Sequence, residues 1–357
     1  MKRADPYPRD PDPAIPVPTG RSARRGRGGR GAGAVLVAVL AAVGCAAGGG
    51  AGAADGMSPR ASAYLGSALD VMEAHSLVTA DVDWPRVRRE AVARAGAART
   101  PADTHEAIRR ALGDLGDGHS TFFDPREASR ALNAPAGDLM LPEGRRLAGG
   151  IGYLTLPPVP SDRVAGPYVR SARSTVEGID RRGACGWVVD LRSNKGGDMW
   201  GPLAAVGPVL GDATVGEAVY ADGTRTPWTI EKGTPRQYLE KWGPAAPLTR
   251  PMPPVAVLTS GRTASAAEAV AIAFRGRPDT RAFGQPTAGA PTANAPYRLS
   301  DGALVILTVA READRDGRRY DGPVVPDVTV PEELGKDGAL AAAMDWLRTR
   351  DGCRGTR

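Results

Sequence analysis

The chain has 357 residues, 42% of them apolar and 24% charged, enough to bury the core of one large domain or two ordinary ones. Its formal charge of +6 is concentrated at the front, where residues 1–44 hold eight Lys or Arg against three Asp; beyond them 38 basic and 37 acidic side chains nearly balance. No basic stripe is left to neutralise a run of phosphates, so a nucleic-acid binder is excluded.

Residues 1–45 have the parts of an export signal: a basic region ending "RSARRGRGGR", an apolar run "GAGAVLVAVLAAVG", then Cys45 followed by small residues. The apolar run is shorter than the ~20 residues a membrane-spanning helix needs. The tetrad "AVGC" resembles a bacterial lipobox, in which the cysteine receives lipid and attaches the mature chain to a membrane surface; ordinary secretion is the competing expectation, because Ala42 stands where leucine is usual. Residues 46–58 are too rich in glycine to fold and read as a flexible tether.

From Pro59 the period is helical. Leu65, Leu69 and Met72 share a face, Asp83 and Pro85 open a second helix, and Thr100 and Pro101 can start a third with Ile108, Ala111, Leu112 and Leu115 as its buried stripe. This helical region, 59–135, ends in the loop "GDGHS". From about residue 148 to 332, short apolar runs ("IGYLTL", "GWVVDL", "VAVLT", "TRAFG", "ALVILTV", "PDVTV") alternate with helical segments, an α/β pattern. Residues 222–254, rich in proline and glycine, read as a long excursion able to cover a site, and 333–357 carry a last amphipathic helix, "LAAAMDWLRTR". Cys185 precedes an apolar strand and is expected to be a small buried hydrophobe; Cys353 is the remaining cysteine of this part, and the sequence does not pair them. No CxxC or HExxH spacing occurs, so no metal or cofactor is expected.

Three places can carry chemistry. Ser265 stands between an apolar strand and an apolar helix, three residues before Glu268; the pair is a capping box, and a serine there also sits beside helix amides that favour a developing anion. A serine needs a base, and the three histidines separate by context. His75 and His105 fall on or beside helical packing faces, whereas His119 lies in a glycine-relaxed loop that no apolar face claims. The turn in "WVVDLRSNKGGDMWG" offers Gly196 and Gly197, where backbone N–H groups can approach an oxyanion without side chains in the way. An ordinary structural turn is the alternative reading. Lys195 is a poor base, because an exposed lysine is mostly charged near neutral pH.

The segments "LGDGHSTF", "IGYLTL", "VVDLRSNKGG", "TASAAEAVAIAF", "FGQPTAGA", "LSDGALVILTV" and "VVPDVTV", in this order, resemble the S41 peptidases, which include the C-terminal processing (tail-specific) proteases and the tricorn core protease. The resemblance spans roughly residues 59–350. It implies a ClpP/crotonase-like α/β core of mixed sheet and helices behind a small helical N-terminal region, with peptide or protein as substrate. It also implies Ser265 as nucleophile, and Gly196 and Gly197 with the N–H of Ala266 as the oxyanion site. The processing proteases pair serine with a lysine, but here Ala290 occupies the lysine position of "GQPTAGA", so His119 becomes the expected base, as in the tricorn-like branch. Asp321 lies near that branch's orienting glutamate, with Asp314 as the runner-up. About 25 residues separate "FFDP" from "GGIGYLTL", too few for a PDZ module. The alternatives to an exported serine peptidase are a catalytically silent member of the fold that binds peptide or lipid, and an esterase using the same nucleophile.

Overall fold

The computed structural model describes residues 56–133 and 139–354; the export signal, Cys45 and nearly all of the tether lie outside the described residues. The chain opens with α1 (Pro59–His75), whose first turn is capped by the Ser58 hydroxyl accepting from the Ala61 N–H, and α2 (Trp84–Ala95), capped in the same way by Asp83. The third helix starts later than Thr100 and Pro101 suggest. Asp103 turns back to accept from the N–H groups of Arg99 and Thr100, residues 102–104 form a 3₁₀ turn, and α3 is His105–Gly113.

Beyond the GDGHS loop come β1 (Thr121–Phe123), α4 (Pro125–Leu132), β2 (Gly144–Leu147), β3 (Ile151–Thr155), α5 (Ala165–Asp180), β4 (Gly186–Asp190) and α6 (Trp200–Leu210). Next are β5 (Ala213–Tyr220), β6 (Arg225–Glu231), β7 (Thr234–Pro235), α7 (Leu239–Trp242), β8 (Val255–Thr259), α8 (Ala266–Ala273) and β9 (Thr280–Gly284). The chain closes with β10 (Thr292–Arg298), β11 (Leu304–Asp314), β12 (Val328–Thr329) and α9 (Gly338–Arg348).

The strands form two sheets. One has the order β12-β9-β8-β4-β3-β2 and is parallel from β12 to β3, with β2 antiparallel on its edge. Its central strands are buried on both faces, which is why they read as unbroken apolar runs. Trp187, Val189, Val255 and Val257 point toward α5, α6 and α8; Val188, Ala256 and Leu258 point the other way, onto Ala343 and Leu347 of α9. The parallel connections run through α5 and α8, as parallel pairing requires.

The second sheet is antiparallel and built on the long strand β11, which takes β10 along one edge and β1 then β5 along the other, with β6 and β7 outside β5. α1, α2 and α3 pack their apolar stripes on this sheet, against residues such as Val305, Leu307 and Val309, and α8 packs against β5 and β11. The supposed excursion at 222–254 is therefore largely structural. β6 completes a hairpin with β5, and Trp228 and Ile230 join the main core.

Cys185 is not the isolated buried thiol expected from its neighbours. It is bonded to Cys353, closing a loop of 168 residues and tying the chain beyond α9 to the entrance of β4.

Candidate active site

The site lies where β4 and β8, neighbours in the parallel sheet, both run out into polar turns. The turn after β4 is held by Asn194, 1% exposed. Its amide donates to the Leu156 carbonyl at 2.9 Å, its side-chain oxygen accepts from the Gly196 N–H at 2.9 Å, and its own carbonyl accepts from the Ala264 N–H at 3.1 Å. Thr263 makes a second tie, donating to the Leu191 carbonyl at 3.0 Å. The two exits thus form one hydrogen-bonded unit. Asn194 and Thr263 were not singled out in the sequence, since both look like ordinary turn residues.

Ser265 begins α8 at φ +53° and ψ −120°. An N-cap residue normally has extended backbone, as Ser58 does at φ −66° and ψ 152°, so Ser265 occupies a strained conformation that capping does not require. A serine on a strained strand-to-helix turn is the geometry that presents a nucleophile. Gly196 lies directly against it, so close that an added Cβ would stand 2.9 Å from the Ser265 Cβ and 3.0 Å from the Ala264 carbonyl oxygen.

Glu268 makes its expected half of the capping box, accepting from the Ser265 N–H at 2.7 Å, and does more than cap. Fully buried, it also accepts from the Thr287 hydroxyl and from the N–H groups of Gly289 and Ala290, each at 2.9 Å. Ala290, which stands where the processing proteases carry lysine, contributes only its backbone to the site.

The N–H groups near Ser265 differ in availability. That of Gly196 is committed to Asn194, whereas Gly197 is exposed and Ala266 opens the helix, where an N–H has no intrahelical acceptor. Gly197 is obligatory for packing, since a Cβ there would lie 2.0 Å from the Val159 carbonyl oxygen. Asp198, next in the chain, accepts from the Gly201 N–H at 2.7 Å, and burial pushes its carboxyl up to about 7.

His119 is half-buried. Its loop is fixed by Asp117, whose carboxylate accepts from the N–H groups of His119 and Ser120 and from the Ser120 hydroxyl, and by Asn294, whose amide donates to the His119 carbonyl at 3.2 Å. The ring's Nδ1 lies 2.8 Å from Thr292 Oγ1. Burial holds the imidazole below its ordinary pKa of 6.5, opposed by the carboxylates of Asp117 and Glu268. A chain of hydrogen bonds links the ring to the serine's turn: Thr292, at His119 Nδ1, donates its N–H to the Ala290 carbonyl at 2.9 Å, and Ala290 donates its own N–H to Glu268, which accepts from the Ser265 N–H.

The two carboxylates expected beside His119 are engaged elsewhere. Asp321 is exposed and paired with Arg311, and Asp314 is buried, accepting from the Tyr320 hydroxyl at 2.8 Å. A third acid, Glu312, sits fully buried on β11 with no hydrogen-bond partner for Oε2; burial and the charge of Glu268 push its carboxyl well above the ordinary range. Among the described residues no group of three or more His, Cys, Asp or Glu is arranged to hold a metal ion.

The chain is similar, over stretches of different length, to proteins with different names. A nisin-resistance protein of Lactococcus lactis is 24% identical over 298 residues, 82% of this chain and 88% of that one. A carboxyl-terminal-processing protease of Synechocystis is 27% identical over 187 residues, 52% of this chain but 39% of that longer one. Among solved structures, a lipoprotein from Streptococcus agalactiae superposes with a TM-score of 0.70 at 26% identity, covering 82% of this chain and 98% of its own. The family model described as Peptidase family S41 matches residues 150–330, which hold the glycine turn, Ser265 and Glu268. With that match and this two-sheet fold, the chain belongs to peptidase family S41.

Proposed function

We propose that the protein is an exported serine peptidase that hydrolyses peptide bonds through an acyl-enzyme. Ser265 is the nucleophile, His119 the general base, and the N–H groups of Gly197 and Ala266 bind the oxyanion. Gly196, expected as a donor, serves instead as the clearance that lets the turn approach the serine. The observation that carries the reading is the backbone of Ser265: a strained, non-capping conformation at a helix N-terminus, faced by a glycine turn. In the first step the Ser265 Oγ–H proton passes to His119 Nε2 as Oγ bonds to the substrate carbonyl carbon, and the oxyanion forms. The proton then passes to the leaving amine, and water repeats the sequence on the acyl-enzyme.

Export is supported by the basic-then-apolar front end and by the Cys185–Cys353 disulfide, which an oxidising compartment maintains. Attachment through lipid on Cys45 is the form of export we favour, in line with the word lipoprotein in the name of the Streptococcus structure. The name of the Lactococcus relative makes nisin the first peptide to offer.

The test is labelling by a fluorophosphonate probe together with peptide and ester panels. The reading requires that Ser265 be labelled, that Ser265→Ala and His119→Ala abolish labelling, and that peptides be cleaved. An unlabelled serine favours a silent binding module, and cleavage of esters alone favours an esterase.

A further inference from the structure

The ring of His119 has a hydroxyl, not a carboxylate, at its inner nitrogen. Thr292 is the first residue of β10, and its Oγ1 stands 2.8 Å from His119 Nδ1. Across the ladder the residue paired with Thr292 is Arg311, whose guanidinium holds Asp321. The carboxylate nearest in sequence to the expected orienting position is therefore drawn to a cation one strand away, and the place beside the imidazole belongs to threonine. The charged groups whose fields act on the ring are Asp117, from its own loop, and Glu268, from α8.

We propose that Thr292 is the positioning residue for His119, its hydroxyl oxygen accepting the Nδ1–H bond and so leaving the lone pair on Nε2. This rests on the serine-hydrolase reading of the site. A neutral imidazole carries one N–H, and whichever nitrogen donates to a fixed partner decides which one can act as base. With Thr292 as acceptor, Nε2 receives the serine proton, and the imidazolium keeps its Nδ1–H on Thr292 throughout. A carboxylate can only accept and so forces the Nδ1–H form; a hydroxyl can donate or accept, and as the acceptor it selects the same tautomer without adding a full negative charge at Nδ1. The charge that balances the imidazolium then comes from Asp117 and Glu268.

The experiment uses the full chain and two substitutions, Thr292→Val, which keeps shape and removes the hydroxyl, and Thr292→Ser, which keeps the hydroxyl. Two quantities are read: the ¹⁵N shifts of the three histidines, assigned with His75→Gln and His119→Gln, and the rate of fluorophosphonate labelling from pH 5 to 9. Wild type is expected to show His119 protonated at Nδ1 above its pKa. Thr292→Val is expected to lose that tautomer preference and label at least about tenfold more slowly, the loss expected for one hydrogen bond, with Thr292→Ser staying within about threefold of wild type. An Nε2-protonated His119 in wild type, or a Thr292→Val protein that folds and labels at the wild-type rate, overturns the assignment. If wild-type Ser265 does not label at all, the hydrolase reading fails, and the tautomer by itself decides whether Thr292 fixes the ring.

Discussion

The Cβ that Gly196 lacks would fall 2.9 Å from the Cβ of Ser265, closer than side chains pack. Gly196 also has φ +105°, a backbone that residues with a Cβ rarely adopt. Gly196→Ala is therefore expected to push the two turns apart. Thermal melting should register a loss of about 1–3 kcal/mol, and labelling of Ser265 should fall far more than stability does. Retained labelling would show that the glycine turn is not part of the site.

Glu268 offers four acceptor positions and all four are used, two on each oxygen. In Glu268→Gln one oxygen becomes an NH₂ group, which would face a backbone donor whichever way the amide turns: the Gly289 N–H on one side, the Ser265 and Ala290 N–H groups on the other. Urea unfolding should show a loss of about 3 kcal/mol or more. Because Glu268 joins the Ser265 amide to the 287–290 loop, labelling should fall in the same variant at temperatures where it is still folded.

As a base, His119 must be neutral, and burial lowers its pKa below 6.5. The labelling rate should hold on going down from pH 8 to pH 6.5 and decline only below that, with a midpoint more acid than a free histidine. The same shift enters stability with a definite sign. Between the folded and the ordinary pKa the unfolded chain binds the extra proton, so this contribution is complete above pH 6.5 and lost as pH falls through the folded value. A labelling midpoint above 6.5 would contradict the burial of the ring.

The proposed nucleophile and the glycine turn are legible in the sequence because each is local: a strand, a few turn residues, a helix, and a Ser-x-x-Glu spacing. His119 is legible for a similar reason, being the histidine that no apolar face claims. Its partner is not. Thr292 reaches the ring only because of how β10 pairs with β11, and register across two strands leaves no mark in a single chain. Asp321 misleads because its position along the sequence is right, while Arg311, ten residues before it, turns it away. β5 and β6 escape notice because proline and glycine around them resemble loop, yet their pairing carries Trp228 into the core.

Burial and the charge of Glu268 raise the pKa of Glu312, which favours its protonated form. In the native state it keeps its proton where the unfolded chain loses it. Its contribution is therefore present at pH values below the ordinary carboxylate range and declines by about 1.4 kcal/mol per pH unit above it, until the folded pKa is passed. Glu312→Gln removes that slope. Melting curves should show the variant gaining on the parent as pH rises above the ordinary carboxylate range, with little difference at pH 4; a constant difference would mean that Glu312 is ionised in the fold.

Reducing Cys185–Cys353 releases a loop of 168 residues. Both cysteines are buried, at 3% and 2% exposure, so reduction of the folded protein should be slow. Once reduced, or in Cys185→Ser with Cys353→Ser, the protein should lose about 3–5 kcal/mol by denaturant titration. Hydrogen exchange should rise first in α9, which the bond fastens to the sheet.

The proposed nucleophile and its proposed base come from opposite halves of the chain: β11 takes β1 on its edge two residues after His119, and α8, which Ser265 opens, packs against the same strand. The match to the family model starts at residue 150 and leaves the histidine outside it. A fragment trimmed to that segment would have a serine with no proton acceptor and a β11 edge stripped of its partner. On the proposed mechanism the helices before β1 carry half of the working site, and damage to them should silence an untouched serine.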